Sequence, residues 1–314
     1  MKLVFCGTPR FAVPALAALH GAGHEIALVV SQPDRPVGRK QQIEPTAVKQ
    51  AALDLGLAVT QPEKIRNNVG FRARLEAIAP DAIVVVAYGR IIPAWMLALP
   101  RLGCINLHGS LLPKYRGAAP IQWAVAMGET VTGNTTMLLE EGLDTGPILL
   151  QQEVPIGQEQ TAADLFEVLA AQGAPLVVET LARLADGRVR PKAQDHARAT
   201  LAPLLQREDG RMDFGMRTAT ELRNRWRGFQ PWPGAYTMLE GKKLIVHRMR
   251  VSELAAASGA AGAFGEMRVD AQRIYVRCAQ NTELELVEVQ LEGKKRMTGA
   301  EFLRGHLISS ARLG

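Results

Sequence analysis

Short apolar runs alternate with helix-length amphipathic stretches through the first half of this chain, and few folds accept that order. Residues 3–6 are followed by 12–20, residues 26–30 by 47–55, and 58–60 by 71–78; then come 82–87, 93–99 and 104–107. Strand, helix, strand repeated in this way predicts a parallel sheet with helices on both faces. Ile83-Val84-Val85-Val86 is apolar on both sides, as a strand covered twice must be. A helix over 117–127, strand runs at 134–139 and 148–154, and a long amphipathic stretch at 162–184 complete the unit. The expected fold is thus α/β, with a Rossmann-like parallel-sheet domain over residues 1–189. Its first turn, Gly7-Thr8-Pro9, lacks the GxGxxG of nicotinamide-binding enzymes, which disfavours a dehydrogenase.

Residues 190–208 hold Pro191, Pro203 and several charges without sustained periodicity, and are read as a linker. Beyond them, over 209–314, a short helix at 220–229 precedes strand runs at 235–239, 244–249, 265–269, 274–278 and 284–289. Five such runs fit a small β-barrel of the oligonucleotide-binding (OB) type, and the Ala/Gly/Ser stretch 255–263 reads as a flexible loop. Charge is divided unevenly between the two parts. Residues 1–189 carry 16 Lys and Arg against 17 Asp and Glu, and residues 190–314 carry 21 against 14. A neutral domain joined to a basic one suggests a polyanion met mainly by the second, although a merely soluble basic surface stays open.

No apolar run approaches the roughly 18 residues of a membrane span, and the N-terminus shows no signal core. A cytoplasmic protein with no membrane partner, acting as a monomer, is the expectation. Cys6, Cys104 and Cys278 are widely spaced with no CxxC, and the six histidines show no HExxH or HxxxH spacing, so no metal site is expected.

Asn106 and His108 stand two residues apart at the end of a strand run, just before Gly109, and so project from one face. An imidazole can take a proton from an attacking amine, and a carboxamide N–H can donate to an oxygen that becomes negative. Alone, the pair could equally satisfy nearby backbone. Asp144 lies in a glycine-flanked turn, Glu140-Glu-Gly-Leu-Asp-Thr-Gly-Pro, where it could orient an imidazole or simply cap the turn.

The motif Asn106-Leu-His-Gly-Ser-Leu-Leu-Pro-Lys-Tyr-Arg-Gly-Ala-Ala-Pro, with Gly142-Leu-Asp-Thr-Gly-Pro downstream, resembles the signature of the folate-dependent formyltransferases. So do Ser31-Gln-Pro-Asp-Arg-Pro-Val-Gly-Arg, Val85-Val-Ala-Tyr-Gly and Phe229-Gln-Pro-Trp-Pro-Gly-Ala-Tyr, and the likeness to members that formylate tRNA spans nearly the whole chain. It implies transfer of the formyl group of 10-formyltetrahydrofolate to the methionine α-amino group of initiator methionyl-tRNA. By motif, Asn106 stabilises the oxyanion, His108 handles the amine proton, and Asp144 orients His108 and tunes its charge. The same resemblance places the reduced folate against Ser110, Leu111, Leu112 and Pro113 and against Val86, Tyr88 and Gly89. It assigns the loop 31–45, with Arg35, Arg39 and Lys40, to the tRNA acceptor stem. Lys242, Lys243, Lys294, Lys295 and Arg296 are the basic clusters expected to meet tRNA in the second domain. Two departures from the family pattern stand out: Gln41, Gln42 and Glu44 make the loop less basic, and Arg90 replaces an apolar residue.

Overall fold

The computed structural model describes residues 1–38, 42–253, 263–306 and 312–314. It divides into two compact units. The first comprises 1–121, 131–156 and 164–203, and the second 122–130, 157–163 and 204–314.

The first unit is built on a seven-stranded sheet. Its strands are β1 (Lys2–Gly7), β2 (Glu25–Val30), β5 (Val59–Thr60), β6 (Ala82–Val86), β7 (Cys104–His108), β8 (Val131–Leu138) and β9 (Ile148–Pro155), in the order β5-β2-β1-β6-β7-β8-β9. Between β2 and β5 a hairpin of β3 (Arg35–Val37) and β4 (Gln42–Glu44) stands apart from the sheet. Helices α1 (Val13–Gly21), α2 (Ala47–Asp54), α3 (Val69–Ile78), α4 (Ala94–Leu97) and α5 (Pro120–Ala126, mostly in a segment of the second unit) connect the strands, and α6 (Ala162–Ala185) follows β9. Local chemistry starts several of them. Thr46 and Asn68 accept from the backbone N–H of Lys49 and Phe71 and so cap α2 and α3, and Pro14 opens α1. Every residue of β6 is buried, as expected for the strand between β1 and β7. By length and hydropathy α6 could cross a bilayer, but its Leu165, Leu169, Val177 and Leu181 are wholly buried core of this unit.

The sheet is parallel from β5 to β7, as expected, and the last two strands, whose direction the sequence left open, pair antiparallel as β7–β8 and β8–β9. The turn 139–147 is too short for a crossover and can only reverse the chain. It leaves the sheet beside Cys104, whose carbonyl accepts from Leu139 N–H at 2.8 Å. Loop 31–45 is also more regular than expected, since its ends pair as the β3–β4 hairpin.

Much of the stretch read as a linker belongs to the first unit, up to Pro203. Lys192 bridges Ile148 beside β9, and Leu201 bridges Arg116. Isolated bridges and side-chain contacts hold it, so it carries no period.

The second unit contains α7 (Ala219–Gly228), α8 (Gly299–Gly305) and the strands β10 (Tyr236–Leu239), β11 (Lys242–Val251), β12 (Met267–Asp270), β13 (Arg273–Arg277), β14 (Glu283–Leu291) and β15 (Met297–Thr298). The sheet runs β10-β11-β14-β13-β12, all antiparallel, with β15 against β14, and curls into a half-barrel. Its two edges are joined through the last residues: Leu313 bridges Leu239 of β10, and Arg312 bridges Glu266 just before β12. Phe302, Val246, Val276, Leu284 and Leu286 are core here, with Leu222 of α7 packed in the same cluster. Both helices carry a Thr-x-x-Glu capping box, Thr218 with Glu221 and Thr298 with Glu301. The stretch 255–262 lies outside the described residues.

Candidate active site

Asn106 and His108 are both on β7, paired with Met137 and Thr135 of β8, and both are nearly buried at 9 % and 6 % exposure. The Asn106 carboxamide has no hydrogen-bond partner among the described residues. The amide is not fully enclosed, so it still reaches solvent and is free to exchange that contact for a ligand. His108 is bonded on one side and neighboured by a carboxylate on the other. Its Nε2 lies 2.9 Å from the Tyr115 carbonyl, and its Nδ1 lies 3.7 Å from Asp144 Oδ2. Both neighbours are acceptors: an Nε2–H can donate to the Tyr115 carbonyl, and the Nδ1–Asp144 separation is beyond hydrogen-bond length.

Asp144 reaches His108 by an indirect route, because residues 140–144 return from the Cys104 end of β7. Its backbone sits at φ 49, in the left-handed region. Its Oδ2 accepts the backbone N–H of Gly117 at 2.8 Å. Gly146 lets the turn close against β8: a Cβ there would fall 1.9 Å from the Leu138 carbonyl oxygen.

The loop after His108 is tied by a knot that carries no signal in the sequence. Thr135 Oγ1 donates to the Ser110 carbonyl at 2.6 Å and accepts from Leu112 N–H at 3.2 Å. Gln151 Nε2 donates to both Thr135 Oγ1 and the Leu112 carbonyl, each at 3.0 Å. Ser110 Oγ donates to the Lys114 carbonyl at 2.7 Å, and Leu112 is buried while Leu111 and Pro113 are half-buried. Thr135→Val keeps the shape and strips the hydroxyl from three partners, two of them in buried bonds. It is expected to destabilise the chain by about 1–3 kcal/mol, measured by urea unfolding.

Val86 ends β6, and Tyr88 and Gly89 follow it. The Tyr88 ring does not face the strand ends; it is core, 2 % exposed beside Cys6, Ile92 and Met96, and burial pushes its phenol up to about 12. Val86 is wholly buried as well, so of these three residues only backbone, with Gly89 exposed, is left to meet a ligand. The Tyr88 carbonyl already accepts from Thr8 Oγ1 and Gln32 Nε2, and Gln32 Nε2 also donates to the Gly89 carbonyl. Arg90 finds its role in the same network: its Nε donates to Gln32 Oε1 at 2.8 Å, and its Nη1 donates to the Glu63 carbonyl. The arginine that replaces an apolar residue therefore latches the base of the 31–45 segment to the end of β6.

Arg35 is exposed on β3, with Glu63 Oε2 at 3.5 Å. Arg39 and Lys40 lie outside the described residues. In the second unit, Glu292 N–H donates to the Lys243 carbonyl and Lys243 N–H donates to Glu292 Oε2, which places Lys242 and Lys243 at the same sheet end as Lys294, Lys295 and Arg296. Lys243 Nζ stands 3.9 Å over the Tyr236 ring and Arg296 pairs with Glu288, whereas Lys242, Lys294 and Lys295 are exposed. The three cysteines are buried, which pushes the Cys104 and Cys278 thiols up to about 12 and Cys6 well above its usual value. Among the described residues no group of three or more His, Cys, Asp or Glu side chains could hold a metal ion.

Known proteins share both parts of the chain. Residues 1–181 match the family described as Formyl transferase, and residues 204–307 match Formyl transferase, C-terminal domain. A protein of Acidobacterium capsulatum named methionyl-tRNA formyltransferase is 64 % identical over the whole of both chains. One of the same name from Koribacter versatilis is 57 % identical, covering 99 % of this chain and 97 % of its own. Among solved structures, the sugar 3N-formyl transferase WlaRD, crystallised in the presence of dTDP and 5-N-formyl-THF, superposes with a TM-score of 0.65 at 17 % identity, over 94 % of this chain and 99 % of that one. The N-formyltransferase of Helicobacter canadensis, in complex with folinic acid and dTDP-3-aminofucose, gives the same score and identity over 91 % and 98 %. These structures share the fold, and the matches in sequence carry the kinship: an enzyme of formyl transfer, the chain belongs to the formyl transferase family.

Proposed function

We propose that the chain transfers the formyl group of 10-formyltetrahydrofolate to the α-amino group of methionine on initiator methionyl-tRNA, giving formylmethionyl-tRNA for translation initiation in the cytoplasm. The observation that carries this reading is the end-to-end identity, 64 % across both units, with a protein named for that reaction. The sugar-modifying enzymes share the architecture at 17 % identity.

The residues present fit a reduced folate. Asn106 offers an amide that makes no hydrogen bond within the described residues, and the knotted loop Ser110, Leu111, Leu112 and Pro113 follows the same strand, with Val86 at the end of the neighbouring strand and the backbone of Tyr88 and Gly89 just beyond it. Bound there, 10-formyltetrahydrofolate would supply the formyl group. Asn106 Nδ2 donates to the formyl oxygen as negative charge gathers on it during attack by the amine. His108 takes the proton that the amine must lose and can return it to N10 as the formyl carbon–N10 bond breaks and tetrahydrofolate leaves, while Asp144 orients the ring and balances its transient positive charge. Holding the groups on one rigid strand removes much of the entropic cost of bringing them to the reacting carbon.

Arg35, Arg39 and Lys40 of the first unit and Lys242, Lys243, Lys294, Lys295 and Arg296 of the second are assigned to the tRNA backbone. Reversing Lys294 and Lys295 to Glu is expected to weaken tRNA binding about tenfold or more near 0.1 M salt and to flatten the log–log salt dependence by roughly one unit per lost phosphate contact. Fluorescence anisotropy across a salt series reads this; an unchanged slope removes these lysines from the interface.

The functional reading is tested by offering the protein 10-formyltetrahydrofolate with methionine-charged initiator tRNA, free methionine or a dTDP-linked amino sugar. Formylation of the charged tRNA alone is expected. Preference for the amino sugar would overturn the assignment of acceptor.

A further inference from the structure

Residues 182–203 lie between the two family matches, and they bring one side chain to Asp144 with its whole amide engaged. Gln194 is 6 % exposed. Its Nε2 donates to the Asp144 carbonyl at 2.8 Å and the Gly146 carbonyl at 2.7 Å. Its Oε1 accepts from Nε and Nη2 of Arg116 at 3.1 and 2.7 Å. Arg116 is buried as well, and its Nη2 also donates to His196 Nδ1 at 3.1 Å. The surrounding backbone is fastened in parallel, with Arg116 N–H on the Thr200 carbonyl and Ala202 N–H on the Arg116 carbonyl.

The clamp falls where it has most to hold. Asp144 occupies a left-handed backbone conformation that a residue with a side chain abandons unless its surroundings fix it. Bonds to the carbonyls of residues 144 and 146 fix the turn on both sides of Thr145, and with it the direction of the carboxylate toward His108. The guanidinium decides which way round the amide sits, since a flipped amide would set its NH2 against Arg116 and its oxygen against two carbonyls.

We propose that Gln194 is a positioning residue for formyl transfer, acting through Asp144, with Arg116 fixing the orientation of its amide. The inference rests on the assignment of His108 and Asp144 to the transfer step.

Gln194→Glu tests it, because a carboxylate keeps the acceptors for Arg116 and removes both donors to the turn. With 10-formyltetrahydrofolate and charged initiator tRNA, kcat is expected to fall at least tenfold while both KM values stay within about twofold, the pattern of a lost transition-state contribution. In single-turnover reactions the same change made in Asp144→Asn is expected to cost less than about twofold more, because an effect exerted through Asp144 has nothing left to act on. An unaltered kcat, or an undiminished further loss in the Asp144→Asn background, overturns the proposal. Should Gln194→Glu not fold by circular dichroism, Gln194→Met, of similar size and without donors, enters the same cycle, where the same two results support or overturn the clamp. Wild-type turnover separates the two levels: without it the functional assignment falls and the clamp with it, whereas wild-type turnover with independent losses removes the clamp alone.

Discussion

His108→Ala is expected to lower kcat for formyl transfer by about 10³-fold, within the range that a positioned proton-transfer group contributes. Asp144→Asn is expected to fall about as far, as exchanging a histidine-orienting carboxylate for an amide does where the fit is otherwise preserved. The structure explains why neither loss should come from unfolding. An asparagine at 144 still offers an oxygen to the Gly117 N–H, which is the bond that anchors the aspartate side chain. Alanine at 108 removes a ring bonded to a single carbonyl and leaves the β7 backbone pairing untouched. Circular dichroism and thermal unfolding would accompany the rate measurement. Turnover near the wild-type rate by either folded variant would remove the roles assigned here.

Asn106→Ala is expected to reduce kcat by about 10²- to 10³-fold, the cost of removing one donor from an oxyanion site. Stability and the effect on rate part company at this position. The carboxamide bonds to nothing among the described residues, so truncating it breaks no internal hydrogen bond. A side chain kept for the fold would give the opposite result, with lowered stability and normal turnover. Asn106→Asp sharpens the contrast, because it places a negative charge where negative charge develops and is expected to be slower than alanine. Steady-state rates beside urea unfolding curves for the two variants separate the alternatives.

These effects concern residues that differ in how readily they can be read from sequence. Asn106 and His108 are legible because a strand has a period of two, and a polar pair at that spacing in an apolar run declares a shared face. Nothing local joins Asp144 to them, and the resemblance to formyltransferases supplies the link. The parallel strands are legible for a similar reason, since runs such as 82–86 are apolar on both sides. Strand direction leaves no mark on such runs, so the reversal at β8 and β9 is invisible in them. Side chains that bond distant backbone are the least visible: Thr135 meets Ser110 and Gln194 meets Asp144 and Gly146 at separations far beyond any helical or strand period. A stretch such as 190–203, held by contacts of this kind, therefore reads as linker. Helix α8 is different. Its Thr298-x-x-Glu301 capping box is present in the sequence, but the seven-residue helix carries too little amphipathic pattern to stand out.

The account as a whole depends on His108 and Asp144 working as one unit, and a double-variant measurement addresses that directly. Single-turnover rates with 10-formyltetrahydrofolate and charged initiator tRNA would be compared for the wild type, His108→Ala, Asp144→Asn and the combined variant. Residues that act together lose little more jointly than singly, so the combined variant is expected within about threefold of His108→Ala. Losses that multiply, giving a combined variant slower by the product of the two single effects, would contradict it.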